Sequence, residues 1–216
     1  MIRIVRCLAA ALLLLAVSAG LVLAHPLGNF TINHYAGIRV EPDRIGLDVV
    51  IDEAEIPTFE ITQGLDTDGD GTLSPAEIAG VPIPECLEVA SGLRLTVDDT
   101  VRPLVLVAAG VHFPPGNGGL PTMRLVCELE SAGGVPDGAR IGLRDDFESA
   151  RIGWREMTAV ASGMAIGGAD DIAATSASSR LTAYPVSLAA APDVREVAFD
   201  VRTGGSILPE IGRAHV

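Results

Sequence analysis

The chain has 216 residues, a formal net charge of −13 and eight aromatic side chains, and all fifteen of its basic residues are Arg. That length suffices for one ordinary domain with a substantial core. An acidic, aromatic-poor surface repels phosphate backbones and offers few stacking platforms, which argues against a nucleic-acid partner. Anionic membrane surfaces are disfavoured for the same reason.

Residues 1–24 read as a secretory leader. Arg3 and Arg6 form its charged start, Leu8 to Val17 its apolar run, and Val22-Leu23-Ala24 a peptidase-type site. The other reading is an uncleaved anchor, since the apolar stretch continues to Ala24, but the run is short for a span. Cleavage predicts an extracytoplasmic chain that begins at His25 and is more acidic still. At the other end, residues 210–216, Glu210 to Val216, read as an in-frame translation of a sequencing adapter. That expectation places a break near Pro209 and a missing continuation beyond it.

From Phe30 the pattern alternates: Phe30, Ile32, His34, Ala36, Ile38 and Val40 share one face, and Thr31, Asn33, Arg39 and Glu41 the other. Such alternation predicts a half-buried strand. Glu41-Pro42-Asp43-Arg44 reads as a turn, and Ile45, Leu47, Val49 and Ile51 resume the alternation, so the pair predicts an antiparallel hairpin. A helical insertion is expected over 52–92, with Pro57 in a first turn and Ile56, Phe59 and Leu65 as apolar contacts. Strands return at Leu93 to Val97, Arg102 to Val107, Met123 to Glu130, Ala139 to Arg144, Arg151 to Val160 and Arg195 to Arg202. Pro114 to Gly119 is a turn, and residues 168–192 read as a loop with one irregular helical turn. The expected class is mainly antiparallel β, sandwich-like, with a small helical EF-hand-type insertion, α+β overall, in one domain over 25–205.

The strongest chemical signal runs from Asp66 to Glu77, DTDGDGTLSPAE. It matches the twelve-residue EF-hand loop at each diagnostic position. Asp66, Asp68 and Asp70 offer carboxylates at alternate positions, Gly71 permits the sharp turn, and Thr72 contributes its carbonyl. Ser74 stands where a bridging water is usual, and Glu77 closes the shell. A hard cation taking six or seven oxygens needs this spacing, so the expected ligand is Ca²⁺. Ser74-Pro75-Ala76-Glu77 also reads as a helix start, with Ser as cap, Pro at the first position and Glu at the third. Pro82 and Pro84 predict an early end to that exit helix. One loop without a partner hand points to a structural clip rather than a sensor.

Cys7 leaves with the leader, so Cys86 and Cys127 remain, and two cysteines in an exported chain are expected to pair. A mature terminal His25 would offer its α-amine and imidazole as a chelate, with His34 nine residues on as a further nitrogen ligand. Such donors suit Ni²⁺, Cu²⁺, Co²⁺ or Zn²⁺. The other reading of His34, on an apolar face, is a satisfied core residue. His112, beside Phe113-Pro114-Pro115, reads as structural, as does Trp154, and Asp145, Asp146 and Glu148 read as a solvated acidic turn. No His-Glu-x-x-His, Gly-x-Ser-x-Gly or phosphate-loop Lys occurs, and no enzymatic activity is expected.

His25-Pro26-Leu27-Gly28-Asn29-Phe30, followed by Asn33-His34-Tyr35, resembles the exported N-terminal region of bacterial nickel/cobalt transporter-like membrane proteins. Asp52 to Phe59 and Phe113 to Pro121 look like the same group. The resemblance implies an extracytoplasmic domain that precedes a polytopic membrane domain of the same chain, and hence a membrane-embedded whole. It carries over no transport residue, because the transport helices of that family have no counterpart here. The expected function is therefore the calcium-binding outer domain of a nickel/cobalt-type transporter. The alternative is a freestanding secreted calcium-binding structural or adhesion domain.

Overall fold

The computed structural model describes residues 28–167, 172–185 and 190–208, so the leader over 1–24, His25 and the heptapeptide 210–216 lie outside the described residues. β1 (Ile32–Val40) and β2 (Arg44–Glu53) form the expected hairpin, with Val40 opposite Ile45 and Ile32 opposite Glu53. Three helices follow: α1 (Glu55–Leu65), α2 (Pro75–Ala79) and α3 (Pro82–Gly92). Then come β3 (Leu93–Val97), β4 (Thr100–Arg102), β5 (Val105–His112) and β6 (Met123–Ala132). β7 (Arg140–Asp145), β8 (Arg155–Ala161), β9 (Met164–Gly167) and β10 (Glu196–Thr203) complete the chain.

The strands make two five-stranded sheets, ordered β5-β6-β2-β1-β8 and β4-β3-β7-β10-β9. Pairing is antiparallel except between β1 and β8, which run parallel. The inward-facing residues of both sheets share one core: Ile38, Ile45, Leu47 and Leu125 from the first meet Leu95, Ile141, Leu143 and Phe199 from the second. Period-two alternation puts these residues on one face of each sheet, and burying that face is what drives the layers together. The result is a mainly β, sandwich-like α+β fold with few helices.

Three details differ from the sequence reading. The segment Arg102 to Val107 is not one strand: β4 ends at Arg102 and β5 starts at Val105, and the two belong to different sheets. Pro103 lacks an N–H and ends the ladder there, letting the chain cross over. Phe30, placed on an apolar face by alternation, and Ile152, within the expected strand Arg151 to Val160, are 62% and 68% exposed, because each stands just before its strand begins. In α1 the buried residues are Glu55, Pro57 and Thr58, while Phe59 is exposed. Glu55 goes inward because its carboxylate accepts hydrogen bonds from the Asn117 backbone N–H (2.7 Å) and side-chain amide (3.0 Å).

Cys86 on α3 and Cys127 on β6 form a disulfide with Cα atoms 5.5 Å apart. It fastens the helical insertion to the first sheet, against which α3 rests through β5 and β6.

Candidate metal centre

α1 ends at Leu65, and the acidic loop begins at once with Asp66. Gly69 (φ +72°) and Gly71 (φ +81°) take left-handed conformations that coil the backbone inward. Asp66 organises the coil: its Oδ1 accepts from the amides of Gly69 (2.8 Å) and Asp70 (3.1 Å), and its Oδ2 from that of Gly71 (2.8 Å). Asp68 accepts from the Asp70 amide at 3.2 Å. Asp70 accepts from the amide (2.8 Å) and hydroxyl (2.7 Å) of Thr72. One oxygen from each of Asp66, Asp68 and Asp70 lies within 4.8 Å of the other two.

The loop closes through Glu77. Its Oε1 accepts from the amide (2.6 Å) and hydroxyl (2.8 Å) of Thr67, and its Oε2 from the amide and hydroxyl of Ser74, both at 2.8 Å. The Ser74 hydroxyl accepts in return from the Glu77 amide, which completes a capping box with Pro75 at the start of α2. Donors from the Ser74 backbone, then from the Thr67 backbone and both hydroxyls, stabilise the charged form and hold the Glu77 carboxyl down to about 2. The exit helix is short, but the prolines do not break it. α2 ends at Ala79 before Gly80, and Pro82 instead opens α3.

The donor set fits a hard divalent cation. Three carboxylates converge with no cationic side chain among them, and Glu77 keeps a fully ionised carboxylate at the closing position. Thr72 and Ser74 stand on the same coil, fixed through Asp70 and Glu77 respectively.

His34 has a different environment. It is 2% exposed on the inner face of β1, and its Nδ1 lies 2.7 Å from Asp145 Oδ2 at the end of β7. Arg155 Nη1, which only donates, also lies 3.1 Å from Nδ1, but the shorter contact is to the carboxylate, which only accepts; it assigns the hydrogen to Nδ1 and leaves Nε2 a lone pair. Nε2 is buried and has no hydrogen-bond partner among the described residues. Burial, outweighing the attraction of Asp145, pushes the imidazole below its ordinary pKa and favours the neutral ring. Arg155, fully buried on β8, donates to the same Asp145 oxygen (3.1 Å) and to the carbonyls of Phe147 (3.1 Å) and Glu148 (2.8 Å). Any metal bound at His34 would therefore meet Nε2. His25, its expected co-ligand, lies outside the described residues. His112 is exposed at the end of β5.

Several buried charged groups escaped the sequence reading, Asp145 and Glu53 among them. Asp145 looked like part of a solvated turn, yet it is 5% exposed. Its visible signal was position, because it continues the inward alternation Ile141, Leu143, Asp145 of β7. Glu53 ends β2 on the inner face, and its Oε2 is buried without a hydrogen-bond partner among the described residues. Burial first, then the charges of Glu85 and Glu148, raise its pKa to about 7. Among the described residues no helix is long and apolar enough to cross a membrane. In comparisons with known proteins, no family model and no curated protein matches the chain.

Proposed function

We propose that the chain is an exported β-sandwich domain that holds one Ca²⁺ in the 66–77 loop and serves as the outer domain of a nickel/cobalt-type membrane transporter. The observation that carries the calcium reading is the clustering of Asp66, Asp68 and Asp70 oxygens within 4.8 Å of one another, in a loop whose closing carboxylate is Glu77. The Thr72 carbonyl and Ser74, through a water, complete the ligand set. The ion's role is to fasten the link between α1 and α2. The opening motif from His25 to Tyr35 supports the transporter assignment. In this reading His25 and His34 Nε2 hold Ni²⁺ or Co²⁺ on its way to the membrane domain. No catalytic step is assigned.

The calcium site is tested by isothermal titration of the purified chain, with terbium luminescence as a second readout. The expected dissociation constant is about 10⁻⁴ to 10⁻³ M, the range of extracellular modules, with binding lost in Glu77→Gln and Asp66→Asn. Unchanged heats in both variants would remove the site. The metal-handling reading fails if His25→Ala leaves Ni²⁺ affinity unchanged. The transporter assignment fails if the source gene, read through its 3′ end, encodes no apolar spans of about 20 residues.

A further inference from the structure

A second cavity, of about 470 Å³, lies away from the loop on the outer face of the first sheet. Part of that face is covered, where Leu181 packs with Tyr35, Val50 and Trp154. The rest has no cover among the described residues and is lined by Gly37, Gly46, Asp48, Val107, Glu128 and Arg180.

Gly46 is the third residue of β2, the central strand of its sheet. Glycine weakens a strand interior and often marks the close approach of a ligand. A Cβ at Gly46 would meet no atom within 4 Å, so no neighbour in this chain requires the glycine. Gly37 differs, since a Cβ there would meet the Tyr35 hydroxyl at 2.5 Å. Val107 is the extra residue of a register shift between Leu106 and Ala108, and it stays 47% exposed on the cavity wall. Bulges commonly re-aim a side chain in this way.

The charges of the wall are unbalanced. Asp48 and Glu128 stand directly opposite each other on β2 and β6, an unfavourable pairing of like charges. Arg180 meets Asp48 at 2.7 Å, Arg39 meets Glu41 at 2.9 Å, and Arg44 pairs with Glu41 and lies 3.7 Å from Glu130. Every guanidinium on the wall thus faces a carboxylate. The Glu128 carboxylate has neither hydrogen bond nor ion pair among the described residues. Arg180 is brought to the cavity by a left-handed turn, Ser179, Arg180 and Leu181, with φ of +50°, +59° and +64°. The turn is pinned by the Ser178 hydroxyl, which accepts from the Leu181 amide (3.0 Å) and donates to buried Glu156 (2.6 Å).

We propose that this open part of the sheet face binds a small organic cation. Its ammonium or guanidinium group meets Glu128 and Asp48, and its apolar body lies over Gly46 against Val107 and Tyr35. The cavity volume falls within the range of small-molecule sites. An anion would meet guanidinium groups that each already face a carboxylate, and Arg180 Nε, which has no partner among the described residues, is buried.

The test is calorimetric titration of the full chain with agmatine, which carries both cationic groups on a butyl body, and with butyrate as the anionic control. Salt at about 0.15 M screens diffuse attraction to the acidic surface. Agmatine is expected to saturate one site, with affinity reduced about tenfold by Glu128→Gln. Gly46→Leu, which fills the cavity, is expected to abolish binding while calcium binding stays at the wild-type level. If Gly46→Leu does not fold, Glu128→Gln decides alone. The proposal is overturned by absence of saturation at about 10 mM agmatine, by equal binding to wild type and Glu128→Gln, or by binding of butyrate instead.

Discussion

Asp145 Oδ2 accepts a hydrogen bond from His34 Nδ1 at 2.7 Å, joining the two sheets through residues 111 positions apart. Arg155 lies on the first sheet beside His34 and binds the same oxygen, so one carboxylate neutralises a buried guanidinium and orients a buried imidazole. Removing one partner of such a pair leaves an uncompensated charge in the core. Asp145→Ala is therefore expected to destabilise the fold by about 3–5 kcal/mol in urea unfolding. The double variant Asp145→Ala/Arg155→Met should recover much of that loss; a double variant no more stable than the single one would refute the account.

Glu53 carries an opposite pH signature from an ordinary paired carboxylate. Its folded pKa of about 7 lies above the ordinary 4.5 of a Glu side chain, so the folded chain keeps its proton where the unfolded chain has lost it. The stabilisation is complete below about pH 4.5 and disappears as pH rises through 7, with a ceiling of about 3 kcal/mol. Unfolding free energies from pH 5 to 8 should fall in the wild type and fall less in Glu53→Gln. Parallel profiles would show that Glu53 does not titrate in this window.

Reduction of the bridge between Cys86 and Cys127 releases a 41-residue separation in the unfolded chain. The loop-entropy relation gives a loss of about 3–4 kcal/mol, measurable as a lower urea midpoint in Cys86→Ala/Cys127→Ala. An unchanged midpoint would mean that the packing of α3 on β5 and β6 suffices without the bridge.

Gly71 holds a φ of +81° at the turn of the calcium loop. Gly71→Ala puts a Cβ into the left-handed region at a cost of about 1–2 kcal/mol. A Ca²⁺ affinity roughly tenfold weaker is expected by titration, with the unfolding midpoint in chelator little changed. Equal loss of stability with and without Ca²⁺ would show that the glycine serves the fold rather than the ion.

Trp154 is the only Trp, and its indole N–H donates to Glu156 at 3.0 Å. Glu156 also accepts from Ser178 and from the Ala177 amide, clamping residues 177–181 over the ring. Glu156→Ala should shift Trp emission to longer wavelength as water reaches the indole. Unchanged emission would place the clamp elsewhere.

The sequence by itself determined what is local. The alternation from Ile32 to Ile51 specifies a hairpin with one buried face, because side chains alternate across a strand. The spacing of Asp66, Asp68, Asp70, Gly71 and Glu77 specifies the coil, because its hydrogen bonds reach at most ten residues. Tertiary structure alone decided the rest. Nothing near His34 announces Asp145, and nothing in Trp154-Arg155-Glu156 tells that Arg155 turns into the core while Glu156 clamps a segment on the outer face. Those roles depend on which strands become neighbours, and the parallel pairing of β1 with β8 joins segments more than a hundred residues apart. The cavity above Gly46 arises in the same way, since its floor and its charges come from β1, β2, β6 and a distant turn at Arg180.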